Sequence, residues 1–121
     1  MIGTDIIEVS RIEKLIKKNS DNFLNKVFTD KEQHYCMQKN KTKYQSFAAR
    51  YAAKEAVAKL LATGISGFWF TDIEIINDDS GKPNVFLYNN AKKLMDLKQI
   101  KNIEISLSHS KEYAIAVAIA N

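Results

Sequence analysis

The sequence predicts an α+β domain in which an antiparallel sheet packs on a long, buried helix. Three observations carry that expectation. The stretch from Phe47 to Ala62, FAARYAAKEAVAKLLA, is apolar on nearly all sides, with charge only at Arg50, Lys54, Glu55 and Lys59. Such a helix belongs in a core or between subunits, where charges are costly unless they meet a partner, a metal or a charged ligand. Near the C-terminus, Ile103 to Ser108 alternates strictly between apolar and polar, and a second run follows from Tyr113 to Ala120; this is the period of paired strands. At the N-terminus, Met1 to Ile7 is a strand-like apolar run broken by one carboxylate, Asp5.

The elements follow in order. After the first strand, Glu8 to about Lys18 reads as a helix with Val9, Ile12, Leu15 and Ile16 on one face and Arg11, Lys14, Lys17 and Lys18 exposed. Asn19 to Asn22 should break it, leaving Phe23, Leu24, Val27 and Phe28 as a short apolar patch. Thr29-Asp30-Lys31-Glu32 is a capping-box signature that opens a second helix. A loop at Asn40–Thr42 precedes the central helix, where Glu55 followed by Lys59 has the favourable order for a helical ion pair. Gly64 suits a left-handed helix end. Phe70–Ile76 alternates as a strand, residues 77–81 form a turn, Val85–Tyr88 pairs back, and Asn90–Gln99 is a helix. Both faces of the last strand are apolar: Tyr113, Ile115, Val117 and Ile119 on one, Ala114, Ala116, Ala118 and Ala120 on the other. Both therefore need cover, and the alanine face suits either a helix of the same chain or a neighbouring subunit.

Bulk properties narrow the function less than the pattern does. The 121 residues suit one domain, 1–121, and 45% hydrophobic with 26% charged is an ordinary globular composition. No apolar run approaches a membrane span, no secretory signal is visible, and the single Cys36 reads as a packed thiol; the cytoplasm is the expected compartment. The net charge of +4 comes from lysine clusters at 14–18, 39–43 and 92–101. A basic surface suits polyanions, but no helix-turn-helix, zinc spacing or aromatic-studded basic strand points to nucleic acid.

An acid in the first strand, Lys-Glu in a buried helix and Ser-His-Ser at a hairpin tip resemble one family closely. The run Gly3-Thr4-Asp5-Ile6-Ile7-Glu8 is joined by Phe28-Thr29-Asp30-Lys31-Glu32 and Arg50-Tyr51-Ala52-Ala53-Lys54-Glu55-Ala56. Thr63-Gly64-Ile65, Asp72-Ile73-Glu74-Ile75, Gly81-Lys82-Pro83 and Ser106-Leu107-Ser108-His109-Ser110-Lys111-Glu112-Tyr113-Ala114 complete the series. Each motif alone is weak; their order and spacing resemble the holo-acyl-carrier-protein synthases, the short single-domain branch of the 4′-phosphopantetheinyl transferases. Two departures remove no functional group: little chain precedes Gly3, and Ser110 stands where threonine is frequent.

The resemblance implies transfer of 4′-phosphopantetheine from coenzyme A to a serine of apo-acyl carrier protein, releasing 3′,5′-ADP, in support of fatty acid biosynthesis. It implies Mg2+ held by Asp5 and Glu55, because such a transfer needs charge neutralised on the phosphoryl oxygens. Lys54 and Lys59 are expected at the pyrophosphate, with Lys59 steadying or protonating the leaving phosphate. Arg50, His109, Ser110 and the turn Gly81-Lys82-Pro83 are expected at the rest of coenzyme A. The general base stays open among Asp5, Glu55 and a water activated by one of them. The family's homotrimers, with active sites between subunits, imply the same assembly here. Arg11 and its helix, with Phe23, Leu24 and Val27 as an apolar patch or simply as core, are the expected surface for an acidic carrier. Two other classes compete: an idle domain that binds coenzyme A or a nucleotide without transfer, separated by carrier mass, and a nucleic-acid module, separated by a salt titration of binding.

Overall fold

The computed structural model describes residues 1–61 and 67–121. Thr63-Gly64-Ile65, and with it the Gly64 helix end, lie outside the described residues. In chain order the elements are β1 (Ile2–Glu8), α1 (Val9–Val27), α2 (Asp30–Met37), α3 (Lys43–Leu61), β2 (Ile73–Asn77), β3 (Pro83–Leu87), α4 (Asn89–Leu97), β4 (Ile103–His109) and β5 (Tyr113–Ala120). β1, β5 and β4 form an antiparallel sheet in that order, and β2 pairs with β3 in a second. The central helix is the long buried helix expected, with Phe47, Ala52, Ala56, Val57 and Leu61 fully enclosed.

Two boundaries differ most from expectation. The first helix does not end at Lys18 but runs to Val27. Its apolar face continues in register through Leu24 and Val27, both buried. Burying each contributes about 1.5–3 kcal/mol, whereas weak helix formers at exposed positions such as Asn19 and Asn22 cost at most about 0.7 kcal/mol each. The strand expected from Phe70 begins at Ile73, because Phe70–Asp72 is a 3-10 turn in which the Asp72 carboxylate accepts the Trp69 N–H at 3.0 Å. The capping box at Thr29 and Glu32 is formed.

The alanine face of β5 meets α3 of its own chain. In the ladder, Ala118 stands opposite Gly3, Ala116 opposite Asp5 and Ala114 opposite Ile7, and all three alanines are fully buried. Small side chains let the helix axis come close, and Gly3 takes this furthest: a β-carbon there would lie 2.3 Å from the Ala56 carbonyl oxygen. The face left open is the bulky one. Ile2, Ile6, Tyr113, Ile115 and Ile119 are all exposed, Ile2 at 70%.

A buried ion pair joins α3 to the second layer. Lys54, 0% exposed, contacts Glu32 at 2.7 Å and donates to the carbonyls of Phe70, at 3.0 Å, and Ile73. Glu32 in turn accepts from Ile75 N and Thr29 N, each at 2.8 Å. Glu74, also buried, accepts from Thr29 Oγ1 and Tyr88 Oη. Burial pulls the Lys54 pKa down, and the charges of Glu32 and Glu74 oppose that pull. The pair thus ties α2, α3 and β2 together with every ammonium donor engaged. Cys36 is fully buried as well, and burial pushes its thiol pKa up, so it is a packed thiol.

Two substitutions test these contacts. Gly3→Ala should lower unfolding free energy in urea by about 1–3 kcal/mol, as overpacking does; an unchanged midpoint would mean that α3 does not ride directly on β1. Lys54→Met leaves Glu32 buried without its cation and should cost about 3–5 kcal/mol, while coenzyme A affinity of the folded protein stays within a factor of two or so. A selective loss of affinity with intact stability would return Lys54 to the binding site.

Candidate active site

α3 carries two polar clusters on different sides. Arg50 and Glu55 are five residues apart, about 140° around the helix and about 7.5 Å along it. The first cluster forms where α3 meets β1 and α1. Asp5 is on the helix side of β1, one ladder step from Gly3, so the close approach at Gly3 brings its carboxylate to α3. Lys59 Nζ lies 3.3 Å from Asp5 Oδ1 and donates to the Thr4 carbonyl at 2.7 Å. The ammonium therefore turns across to β1 rather than back to Glu55. Glu55 lies within electrostatic reach of the phenol of Tyr51, one turn earlier. Burial raises the Tyr51 pKa most, Glu55 adds to it, Asp5 adds less, and Arg11 opposes. Asp5, Glu55, Tyr51 and the exposed Arg11 thus share one patch.

The second cluster lines an open cavity of about 270 Å³ between α2, α3, the β2–β3 turn and the end of β4. Arg50, Gly81, Pro83 and His109, far apart in sequence, all reach it. Arg50 is buried, at 3% exposure. It stacks on the Tyr35 ring at 4.1 Å and donates to Ser46 Oγ at 3.3 Å and to Asn77 Oδ1. The turn is built by Asp78, whose carboxylate accepts from Ser80 N, Ser80 Oγ and Lys82 N at 2.9, 2.6 and 3.0 Å. These bonds, the Ser80 hydroxyl first, hold its pKa below the usual carboxylate value. Gly81 has φ +90°, a conformation that favours glycine.

Other expected residues fall elsewhere. Lys54, expected at a pyrophosphate, is enclosed in the core by Glu32 and two carbonyls, because a buried ammonium needs every donor satisfied. Leu24 and Val27, expected in a docking patch, are core residues at 4% and 8% exposure: the extended α1 turns them inward. Phe23 is partly buried, stacked with Tyr51 at 6.5 Å and edge-on to Phe28 at 6.1 Å. Lys82 is exposed beside the cavity, 4.0 Å from Glu104. The Ser110 hydroxyl accepts from Tyr113 N at 3.1 Å and Glu112 N at 3.3 Å, so it closes the hairpin turn. Sequence reasoning missed Tyr35, Lys39 and Asn77 at the cavity and Tyr51 at the carboxylates. Lys39 sits in a lysine cluster that reads as solvent-facing, yet its ammonium lies 4.6 Å from the Tyr35 ring centre.

The chain resembles proteins of known activity over nearly its whole length. The family model described as the 4′-phosphopantetheinyl transferase superfamily matches residues 1–118. The holo-acyl-carrier-protein synthase of Chlamydia caviae is 51% identical over 120 residues, covering 98% of this chain and 93% of that protein. The structure of the Helicobacter pylori synthase in complex with coenzyme A superposes with a TM-score of 0.83 at 34% identity, covering 100% of both chains. The Neisseria meningitidis synthase superposes with a TM-score of 0.88 at 35% identity, covering 99% of this chain and 96% of that one. With its carboxylate patch, its basic cavity and this likeness along the full chain, the protein belongs to the 4′-phosphopantetheinyl transferase superfamily.

Proposed function

We propose that this chain transfers 4′-phosphopantetheine from coenzyme A to a serine of apo-acyl carrier protein, giving holo-acyl carrier protein and 3′,5′-ADP for fatty acid biosynthesis. The observation that carries the reading is that one helix supports both a paired-carboxylate patch and a basic cavity, in a chain about half identical to holo-acyl-carrier-protein synthases. The likeness at residues 1–118 supports treating 1–121 as one transferase domain. No helix among the described residues is long and apolar enough to cross a membrane; together with a carrier partner this favours the cytoplasm.

In the reaction the carrier serine oxygen bonds to the pantetheine-linked phosphorus, and the bridging bond to the nucleotide phosphate breaks. Asp5 and Glu55 fit a magnesium ion: both are oxygen donors in one patch. Among the described residues no third histidine, cysteine or carboxylate joins them, which suits an ion that keeps water and substrate phosphate in its shell. When bound, magnesium would neutralise charge on the pyrophosphate oxygens. Lys59, beside Asp5, offers an ammonium to the departing phosphate oxygen. Tyr51 lies beside the Glu55 carboxylate. Arg50 and His109 hold the nucleotide phosphates, and Gly81 to Pro83 form the cavity rim. The serine proton passes to Asp5, Glu55 or a water next to them. Arg11, exposed at the edge of the carboxylate patch, meets the acidic carrier.

A coenzyme A molecule must touch both clusters, yet α3 stands between them in one chain. The exposed face of Ile2, Ile6, Tyr113, Ile115 and Ile119 supplies an interface, since contiguous apolar patches mark contact sites. Both features favour a homotrimer in which one subunit's Arg50 and His109 face the next subunit's Asp5 and Glu55.

Intact mass of apo-acyl carrier protein incubated with coenzyme A and magnesium tests the activity. The carrier should gain one phosphopantetheine in the presence of this protein, and Asp5→Ala or Glu55→Ala should slow that gain by at least about 10²-fold, the loss expected for a transition-state charge contact. Near-normal rates for both variants would remove these carboxylates from the site. Shared sites predict complementation: Arg50→Ala and Glu55→Ala chains, each nearly inactive alone, should regain about a quarter of wild-type activity after statistical co-assembly into trimers. No recovery in verified mixed trimers would place each site within one chain.

A further inference from the structure

We propose that Asn77 is a positioning residue that locks the β2–β3 turn to Arg50 and so prepares the cavity for a nucleotide phosphate. The proposal rests on the reading of that cavity as the coenzyme A site. Asn77 ends β2 and uses both halves of its side-chain amide. Oδ1 accepts from Arg50 Nη2, and Nδ2 donates to the Gly81 carbonyl at 3.0 Å. One planar group thereby joins the cation of α3 to the residue whose φ is +90°.

The partners on either side are already constrained. The turn is internally rigid through the Asp78 carboxylate and through backbone bonds from Gly81 N to Asp78 O and from Asp78 N to Lys82 O, both 2.9 Å. Arg50 is held against Tyr35 and Ser46, but its buried Nε–H has no partner among the described residues. An orphaned donor on a buried guanidinium is costly, and Arg50 lines the cavity beside His109, so a phosphate oxygen there would satisfy it. Asn77 sets the direction in which that donor set faces. It also keeps Gly81 and Pro83 at the cavity rim. No other uncharged side chain of this length both accepts from a guanidinium and donates to a carbonyl. Leucine matches its shape but does neither, and serine is too short to span both partners.

Titration calorimetry with 3′,5′-ADP on the full-length protein tests this. Wild type should bind; absence of binding would overturn the assignment of the cavity itself, whatever Asn77 does. Given wild-type binding, Asn77→Leu and Asn77→Ser should each weaken it by about tenfold or more, as expected when a hydrogen bond to a charged group is lost. In the transfer assay the loss should fall on KM for coenzyme A rather than on kcat. In an Arg50→Ala background the further effect of Asn77→Leu should shrink to about twofold, because residues that act through one another are not additive. Unchanged affinity in both variants, or a full additional loss in the Arg50→Ala background, would overturn the positioning role. A fall in thermal midpoint with affinity retained would make Asn77 a purely structural residue and overturn it equally.

Discussion

Because Gly3 has no side chain, α3 rides directly on β1, with the Ala56 carbonyl where a β-carbon would otherwise sit. The buried alanines of β5 extend the same close contact across the sheet. Two sets of polar partners depend on that contact. Asp5 reaches Lys59 because β1 and α3 nearly touch. His109, at the end of β4, shares a cavity with Arg50 because β4 is the far strand of the sheet that α3 crosses. A bulkier layer would push the helix out and separate both sets of partners.

The other side of α3 is governed by charge rather than by size. Lys54 is the only described lysine fully enclosed, and Glu32 and two backbone carbonyls take up its ammonium. Such a pair adds little net stability compared with an apolar filling, but it is expensive to break, and its directional bonds set where α2 and β2 lie against α3. That matters for the cavity, whose walls are Tyr35 from α2, Asn77 from β2 and Arg50 from α3. The same helix therefore uses neighbouring residues for opposite ends: Lys54 closes the core, while Glu55 faces outward into the carboxylate patch.

In the proposed transferase, the division of labour between two faces of one helix explains why the chain leaves a bulky apolar sheet face open. The central helix α3 covers the alanine side. The side bearing Ile2, Ile6, Tyr113, Ile115 and Ile119 is then available to a second copy, which would bring a basic cavity to a carboxylate patch.

What the sequence by itself determined is what depends on neighbours a few residues away. The capping box at Thr29 and Glu32, the buried character of the Ala-rich helix, the Asp78–Gly81 turn and the alternation of β4 and β5 are all local patterns of period or hydrogen bonding. The order of motifs also marked Asp5, Glu55, Arg50 and His109 as a set. Only the tertiary structure decided the rest. Ionic neighbours on α3 look alike in sequence, but a helix surface turns 100° per residue, so Lys54 went to the core and Glu55 to the patch. The continuation of α1 through Asn19–Asn22 was decided by the burial of Leu24 and Val27, which outweighs local propensity. The alanine face of β5 had two possible covers, and the length of α3 chose its own chain. Tyr35 and Asn77 carry no local signal of their contact with Arg50, because they lie on other elements and only packing brings them within reach.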